Sequence, residues 1–335
     1  MGSTFWTGSQ NLLLTARVTE SLAGRAAMLR LLPLSQREVD ERSMAPLAWE
    51  SRGESPGKRA ARAHTSAARL WKNLLRGAYP ELVAEPDRDI SLWHSSYIQT
   101  YLERDVRSLR QVGDLTAFQG FIRALAARAG QLLNLTDVAR DLGIAVNTAK
   151  AWLSVLEATF QVIVLRPYHA NVGKRLVKTP KIYFTDTGML CYLAGLRGPE
   201  HAAAGPLGGA IFETAVLVEI VKVFVNRGET PQVYFWRTSA GVAVDFVVEA
   251  DGKLIPIEVK LSSSPRPRWP TLSELSGKIW RKRLAPVTSC IQEASGCHLR
   301  RMLWHCPSMR FDPAFQLPGG WLSLSSASST HNCSR

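Results

Sequence analysis

The sequence predicts a mixed α and β protein in which a mainly helical unit is followed by a small α/β unit. Three observations predict it. Between residues 69 and 200 apolar residues recur at helical spacing and then give way to two short strands. "GGAIFETAVLVEIVKVFVN", residues 208–226, reads as a helix apolar nearly all the way round and therefore buried on most sides. "VAVDFVVEADGKLIPIEVK", residues 242–260, reads as two strands joined by an Asp-Gly turn. With 335 residues, 46% of them hydrophobic, the chain can bury two or three cores.

Taken in order, residues 1–39 read as the end of a larger α/β domain. "STFWTGSQ" suits the tail of a strand running into a polar loop, "NLLLTARVTESLAGR" a helix stopped by Gly24, and "AAMLRLLPLS" one more strand. One or two strands make no covered sheet, so a partner region upstream of Met1 is expected. Residues 40–68, rich in Pro, Gly, Ser, Arg and Ala, read as an exposed connection. From Ala67 the pattern is helical; in "SSYIQTYLERDVRSL" the residues Tyr97, Tyr101, Leu102, Val106 and Leu109 fall at core spacing. Leu135, Val138, Ala139 and Leu142 form the apolar face of a short helix capped by Asn134 or Thr136, and Gly143 permits a sharp turn after it. A second helix, with Asn147 as its expected cap, turns Ala149, Leu153 and Leu156 toward the first. That is helix-turn-helix spacing, and "FQVIVLRPY" and "KIYFTDTG" add the two strands of a winged helix. In residues 201–267 the apolar helix is followed by "PQVYFWRTSAG", a further strand, and then by the hairpin.

A formal charge of +13 points toward a polyanionic partner, of which nucleic acid is the commonest; a solvated basic surface and an anionic membrane surface are the rivals. A helix-turn-helix lays its second helix in a major groove while loop cations grip phosphates. The candidates here are Lys150 on that helix, and Lys174, Arg175, Lys178 and Lys181 in the segment joining the two strands. Glu157 on the same helix opposes them, and a winged helix used only for packing stays open. No apolar run has spanning length, because Glu219 and Lys222 interrupt "AVLVEIVKVFV", and the first residues lack a basic n-region. A soluble cytoplasmic protein is expected. Of five cysteines only Cys191 lies outside the last fifth of the chain, which argues against a disulfide framework.

The hairpin carries Asp245 in its first strand and Glu258 and Lys260 in its second, behind a helix bearing Glu213 and Glu219. Ionised groups in apolar strands are costly unless paired. A divalent cation is one partner and a plain ion pair is another. On the first reading Asp245 and Glu258 hold Mg²⁺ through oxygen ligands, Glu213 completes the acidic group, and Lys260 orients a nucleophile or offsets charge on a phosphate. The pattern D-x12-E-x-K resembles that of PD-(D/E)XK nucleases, though hairpins match it by chance as well.

Several stretches in order, "TGSQNLLL", "ESLAGRAAMLRLLPLS", "LLRGAYPEL", "YIQTYLERDV", "LTDVARDLGIAVNTAKAWLSVLE", "KTPKIYFTDTGMLCYLAG", "FETAVLVEIVK" and "VDFVVE…IPIEVK", resemble ATPases of the AAA superfamily that end in domain of unknown function 4143. The resemblance runs from about Phe5 to Pro265. It implies an ATPase remnant in 1–39, a helical and winged-helix segment in 69–200, and a restriction-endonuclease-like α/β domain in 201–267. It also implies that Thr7, Ser9 and Arg25 are nucleotide-sensing positions. The chain contains no G-x-x-x-x-G-K-[ST] sequence, so ATP binding and hydrolysis, expected of intact members, are not expected here. Relatives often carry a glutamate where this chain has Ala243.

Residues 268–335 carry four cysteines and no clear periodicity, and read as a frameshifted or disordered tail. Zinc binding by Cys297, His298, His305 and Cys306 is the sharper rival, although adjacent Cys-His pairs do not suit the usual knuckle spacing. The leading expectation is a truncated, ATPase-derived protein whose winged-helix and nuclease-like segments bind DNA. The alternatives are a scaffold for a protein partner and an active metal-dependent nuclease.

Overall fold

The structure, a computed structural model, describes residues 29–41, 43, 66–106, 112–168, 178–239, 241–261, 288–293 and 296–301. The sensing positions Thr7, Ser9 and Arg25, the basic residues Lys174 and Arg175, and the distal zinc candidates His305 and Cys306 lie outside them. The described residues belong to one compact unit. It is mixed α and β, as the periodicities predict.

The helical part comprises α1 (Gln36–Val39), α2 (Ala67–Arg76), α3 (Pro80–Ala84), α4 (Ile90–Thr100), α5 (Leu115–Ala126), α6 (Leu135–Leu142) and α7 (Val146–Ala158). A π-helical segment, Tyr101–Val106, continues α4. Its Tyr101, Leu102 and Val106 are buried as their spacing predicts, and Leu109 lies outside the described residues. An antiparallel pair, β1 (Val162–Leu165) and β2 (Lys181–Phe184), follows α7. Then come α8 (Thr187–Leu193), α9 (Pro199–Ala204) and the long α10 (Gly208–Asn226). A five-stranded sheet has the order β3 (Val233–Arg237), β4 (Ala243–Ala250), β5 (Lys253–Leu261), β6 (Thr288–Glu293), β7 (Gly296–Arg301). Its pairs are antiparallel except β5 with β6, which run parallel. The sheet therefore continues past residue 267, and Cys297 and His298 fall within β7.

Burial explains why α10 reads as apolar nearly all round, and the β1–β2 pair shares its position. Each stands between two cores. Val162, Ile182 and Phe184 face the helical core with Phe118, Leu156, Ile211 and Phe212. Leu165 and Tyr183, at the alternate positions, face a second core with Leu217, Ile220, Phe224 and the sheet residues Phe235, Phe246 and Ile257. A smaller core of Tyr168, Trp236, Val244, Val247 and Leu254 covers the sheet's other face.

Local chemistry accounts for most boundaries. Asn134 caps α6 by accepting from the N–H groups of Thr136 and Asp137, and Gly143 ends it at φ 66°. Asp251 and Gly252, at φ 49° and 69°, make the β4–β5 turn that the sequence signalled. Two expectations are corrected. Asn147 does not cap α7: the N-cap is Ala145 and Asn147 already lies in the first turn, because Ile144 N–H bonds back to Ala139 and brings the chain into helical geometry early. Residues 29–34 of "AAMLRLLPLS" form no strand. Pro33 lacks an N–H for a ladder, and Leu34 N–H instead reaches the Ala78 carbonyl at 2.8 Å before Ser35 and Glu38 build a capping box for α1.

Candidate functional site

Two groups of residues were expected to act, one on the helix-turn-helix and one on the hairpin. In the first, α6 and α7 pack through Val138, Ala139, Ala149, Trp152, Val155 and Leu156, all buried. Trp152 meets Phe118 and Phe121 edge-on, with centroids 5.3 and 5.6 Å apart. The opposite face of α7 is left to solvent: Asn147, Lys150, Ser154 and Glu157 are exposed and succeed one another at helical spacing. Lys178 is exposed as well, three residues before the start of β2. Lys181 is not. Its side chain is 12% exposed and pairs with Glu213 at 2.9 Å, so it faces the α/β unit and not a solvent-borne anion.

In the second group the hairpin register sets the two strand carboxylates side by side. Phe246 pairs with Ile257, so Asp245 and Glu258 are the next residues along adjacent strands. Opposite β3 the register shifts between Tyr234 and Trp236, leaving Phe235 against both Asp245 and Phe246. This β-bulge explains why Val244 and Val247, three residues apart, share one core. It also frees Asp245 from the ladder, and its Oδ2 accepts the Val259 N–H at 2.9 Å.

Glu213 comes from α10. Its Oε1 accepts from Lys181 Nζ at 2.9 Å and from the Tyr183 hydroxyl. Burial, and then the charge of Asp245, push its carboxyl above the usual range against the pull of Lys181 and Tyr183. Glu258 Oε1 accepts from Lys260, while its Oε2 is buried without a hydrogen bond. Burial followed by the charge of Asp245 pushes Glu258 up. Burial alone would lower Lys260, but its bond to Glu258 outweighs that and raises it. The four predicted residues thus form one electrostatic neighbourhood.

The neighbourhood does not fit a divalent-metal centre. Hard cations take several oxygen ligands at once. Among the described residues no three His, Cys, Asp or Glu side chains come together closely enough to hold an ion. Each carboxylate instead has a partner from the chain itself: Lys181 and Tyr183 for Glu213, the Val259 amide for Asp245, Lys260 for Glu258. Glu213 with Lys181 and Glu258 with Lys260 are ion pairs, the other reading of the same pattern, while Asp245 accepts a backbone amide.

Sequence reasoning missed Tyr183, and it took Lys181 for a solvent-facing cation. The available signal was their i, i+2 spacing in "KIYF", which puts both on one face of a strand. It also left Glu219 and Lys222 unassigned. Both Glu219 oxygens accept the Gln36 N–H, at 3.0 and 3.1 Å, and buried Lys222 donates to the Leu34 carbonyl at 2.8 Å. These two side chains tie the segment before the helical unit to α10.

Comparison with known proteins finds two similar proteins and two domain matches. An uncharacterized protein of Mycobacterium tuberculosis is 31% identical over 258 residues, 77% of this chain and 52% of its own length. An uncharacterized protein of Mycobacterium bovis matches to the same extent. The chain therefore spans about half the length of the curated relatives it matches. No solved structure matches. No helix among the described residues is long and apolar enough to cross a membrane. Residues 67–200, the helices with the β1–β2 pair, match the domain of unknown function DUF8612, and residues 208–278, from α10 through the hairpin, match the domain of unknown function DUF4143.

Proposed function

We propose that the chain binds duplex DNA through its winged helix and acts as a binding module and not as a nuclease. The observation that carries this reading is the free face of α7. A helix buried along Ala149, Trp152, Val155 and Leu156 presents Asn147, Lys150 and Ser154 outward, backed by an antiparallel pair, with exposed Lys178 beside it. That is the arrangement by which a second helix enters a major groove while neighbouring cations meet phosphates. The charge of +13 supports the same partner. A cytoplasmic location and a place beside an AAA-type ATPase, with which the DUF4143 resemblance is associated, belong to the same proposal.

The order of α10, the β3–β4–β5 meander and a parallel β6 resembles the core of nuclease-like folds, which is a likeness of architecture alone. The ion pairs of Glu213 with Lys181 and of Glu258 with Lys260 favour binding over cleavage. Fluorescence anisotropy with a labelled duplex tests the proposal. Wild type is expected to bind, and Lys150→Glu to weaken binding about tenfold or more, as placing a like charge against phosphate should. Equal affinities for the two proteins, or no binding by the wild type at low salt, would leave the scaffold reading in its place. Incubating plasmid with the chain and Mg²⁺ is expected to leave the DNA uncut; cleavage lost in Lys260→Ala would contradict the binding-only reading.

A further inference from the structure

The β1–β2 pair is gripped by the α/β unit on both of its strands. Beyond β1, the Phe235 N–H of β3 donates to the Arg166 carbonyl at 3.2 Å, and the Tyr168 N–H donates to the Phe235 carbonyl at 2.7 Å. On the returning strand, Lys181 and Tyr183 both donate to the single Oε1 of Glu213. Lys181 also lies over the ring of the same Phe235, 5.7 Å from its centroid. The two ion-pair side chains are only 12% and 17% exposed, so little water competes for them. An ion pair of this kind is costly to break by removing one partner, because the other charge is left buried.

We propose that Glu213 is a positioning residue for DNA binding: it clamps the returning strand of the hairpin to α10 and so holds the pair in register beside α7. This rests on the DNA-binding reading for its consequence but not for its mechanism. It assigns to Glu213 and Lys181 a mechanical role in place of metal binding and phosphate contact. Period-two geometry makes the clamp possible, since Lys181 and Tyr183 emerge on one face while Ile182 and Phe184 anchor the other face in the helical core.

The sign of one substitution separates the clamp from simple electrostatics. Glu213→Gln removes a negative charge from a chain that must approach a polyanion, so charge alone predicts tighter duplex binding. The clamp predicts weaker binding, by about fivefold, the change that roughly 1 kcal/mol of positioning energy produces. Amide exchange gives a second readout that needs no DNA. Exchange at residues 181–184 is expected to quicken in Glu213→Gln while that of the β4–β5 hairpin stays as in the wild type. Tyr183→Phe, which removes one donor and keeps the ion pair, is expected to move both readouts the same way by less, and it decides the matter should Glu213→Gln fail to fold. Unchanged exchange at 181–184, or duplex binding as tight as or tighter than wild type in Glu213→Gln, would overturn the clamp. Failure of the wild type to bind any duplex would overturn the DNA reading, and the exchange comparison would still decide the clamp.

Discussion

His94 is 1% exposed, its Nε2 donates to the Arg76 carbonyl at 3.2 Å, and its Nδ1 has no partner. Because a carbonyl only accepts, Nε2 carries a hydrogen. Burial lowers its pKa, against the charge of Asp186. A depressed folded pKa means that the stabilisation is present above the unfolded value of about 6.5 and lost as pH falls through the folded value. Thermal midpoints should therefore drop on acidification below about pH 6.5, and His94→Phe should flatten that part of the profile; an unchanged slope would contradict it. Glu258 has the opposite sign. Its carboxyl is raised above 4.5, chiefly by burial. The fold favours its protonated form more than the unfolded chain does, so stability falls as pH rises through the folded value. Glu258→Gln should gain over wild type, and the gain measured in melts from pH 4.5 to 7 should grow with pH. Its partner Lys260 is 45% exposed, so losing that ion pair offsets little.

At the scale of elements, the winged helix depends on the core beneath α7 and on a close approach between α2 and α8. Leu156 is fully buried, and Leu156→Ala should cost about 2–5 kcal/mol in chemical denaturation, with no compensating contact. Gly188 lies in the first turn of α8, and a Cβ there would stand 2.5 Å from both the Arg76 carbonyl oxygen and the Gly77 nitrogen. Helix propensity alone would make Gly188→Ala stabilising by about 1 kcal/mol. The backbone clash reverses the sign, and a loss of about 1–3 kcal/mol is expected; a more stable variant would show that α2 can move away. These elements differ in how far their sequences disclose them. The β4–β5 hairpin is legible because Asp251 and Gly252 specify the turn and period two specifies the faces. The cap of α7 is not, since Asn147 has the right chemistry and the wrong place. What decided it was the early return of Ile144 to Ala139, a feature of the turn's path. The bulge at Asp245 and Phe246 is likewise invisible in a strand that alternates acceptably in either register.

Across the whole molecule, α10 ties three parts together. Glu219 and Lys222 hold residues 34–36, Glu213 holds the β1–β2 pair, and Leu217, Ile220 and Phe224 pack on the sheet. The sequence disclosed the members of the acidic site, because charged residues in apolar elements stand out. It did not disclose their partners, because Lys181 and Glu213 are 32 residues apart and no local pattern says which face of a distant strand meets a helix. The same holds for Glu219 and Gln36, 183 residues apart. For the proposed function, what faces solvent matters: Asn147, Lys150 and Ser154 of α7 are exposed, whereas Asp245 Oδ2 and Glu258 Oε1 accept from the chain itself. The most direct test is the salt dependence of duplex affinity for the wild type and Lys150→Ala. The account predicts a linear fall of log K with log salt concentration, and a slope about 0.9 shallower in the variant, as the loss of one phosphate contact requires. A salt-independent affinity, or identical slopes for the two proteins, would contradict it.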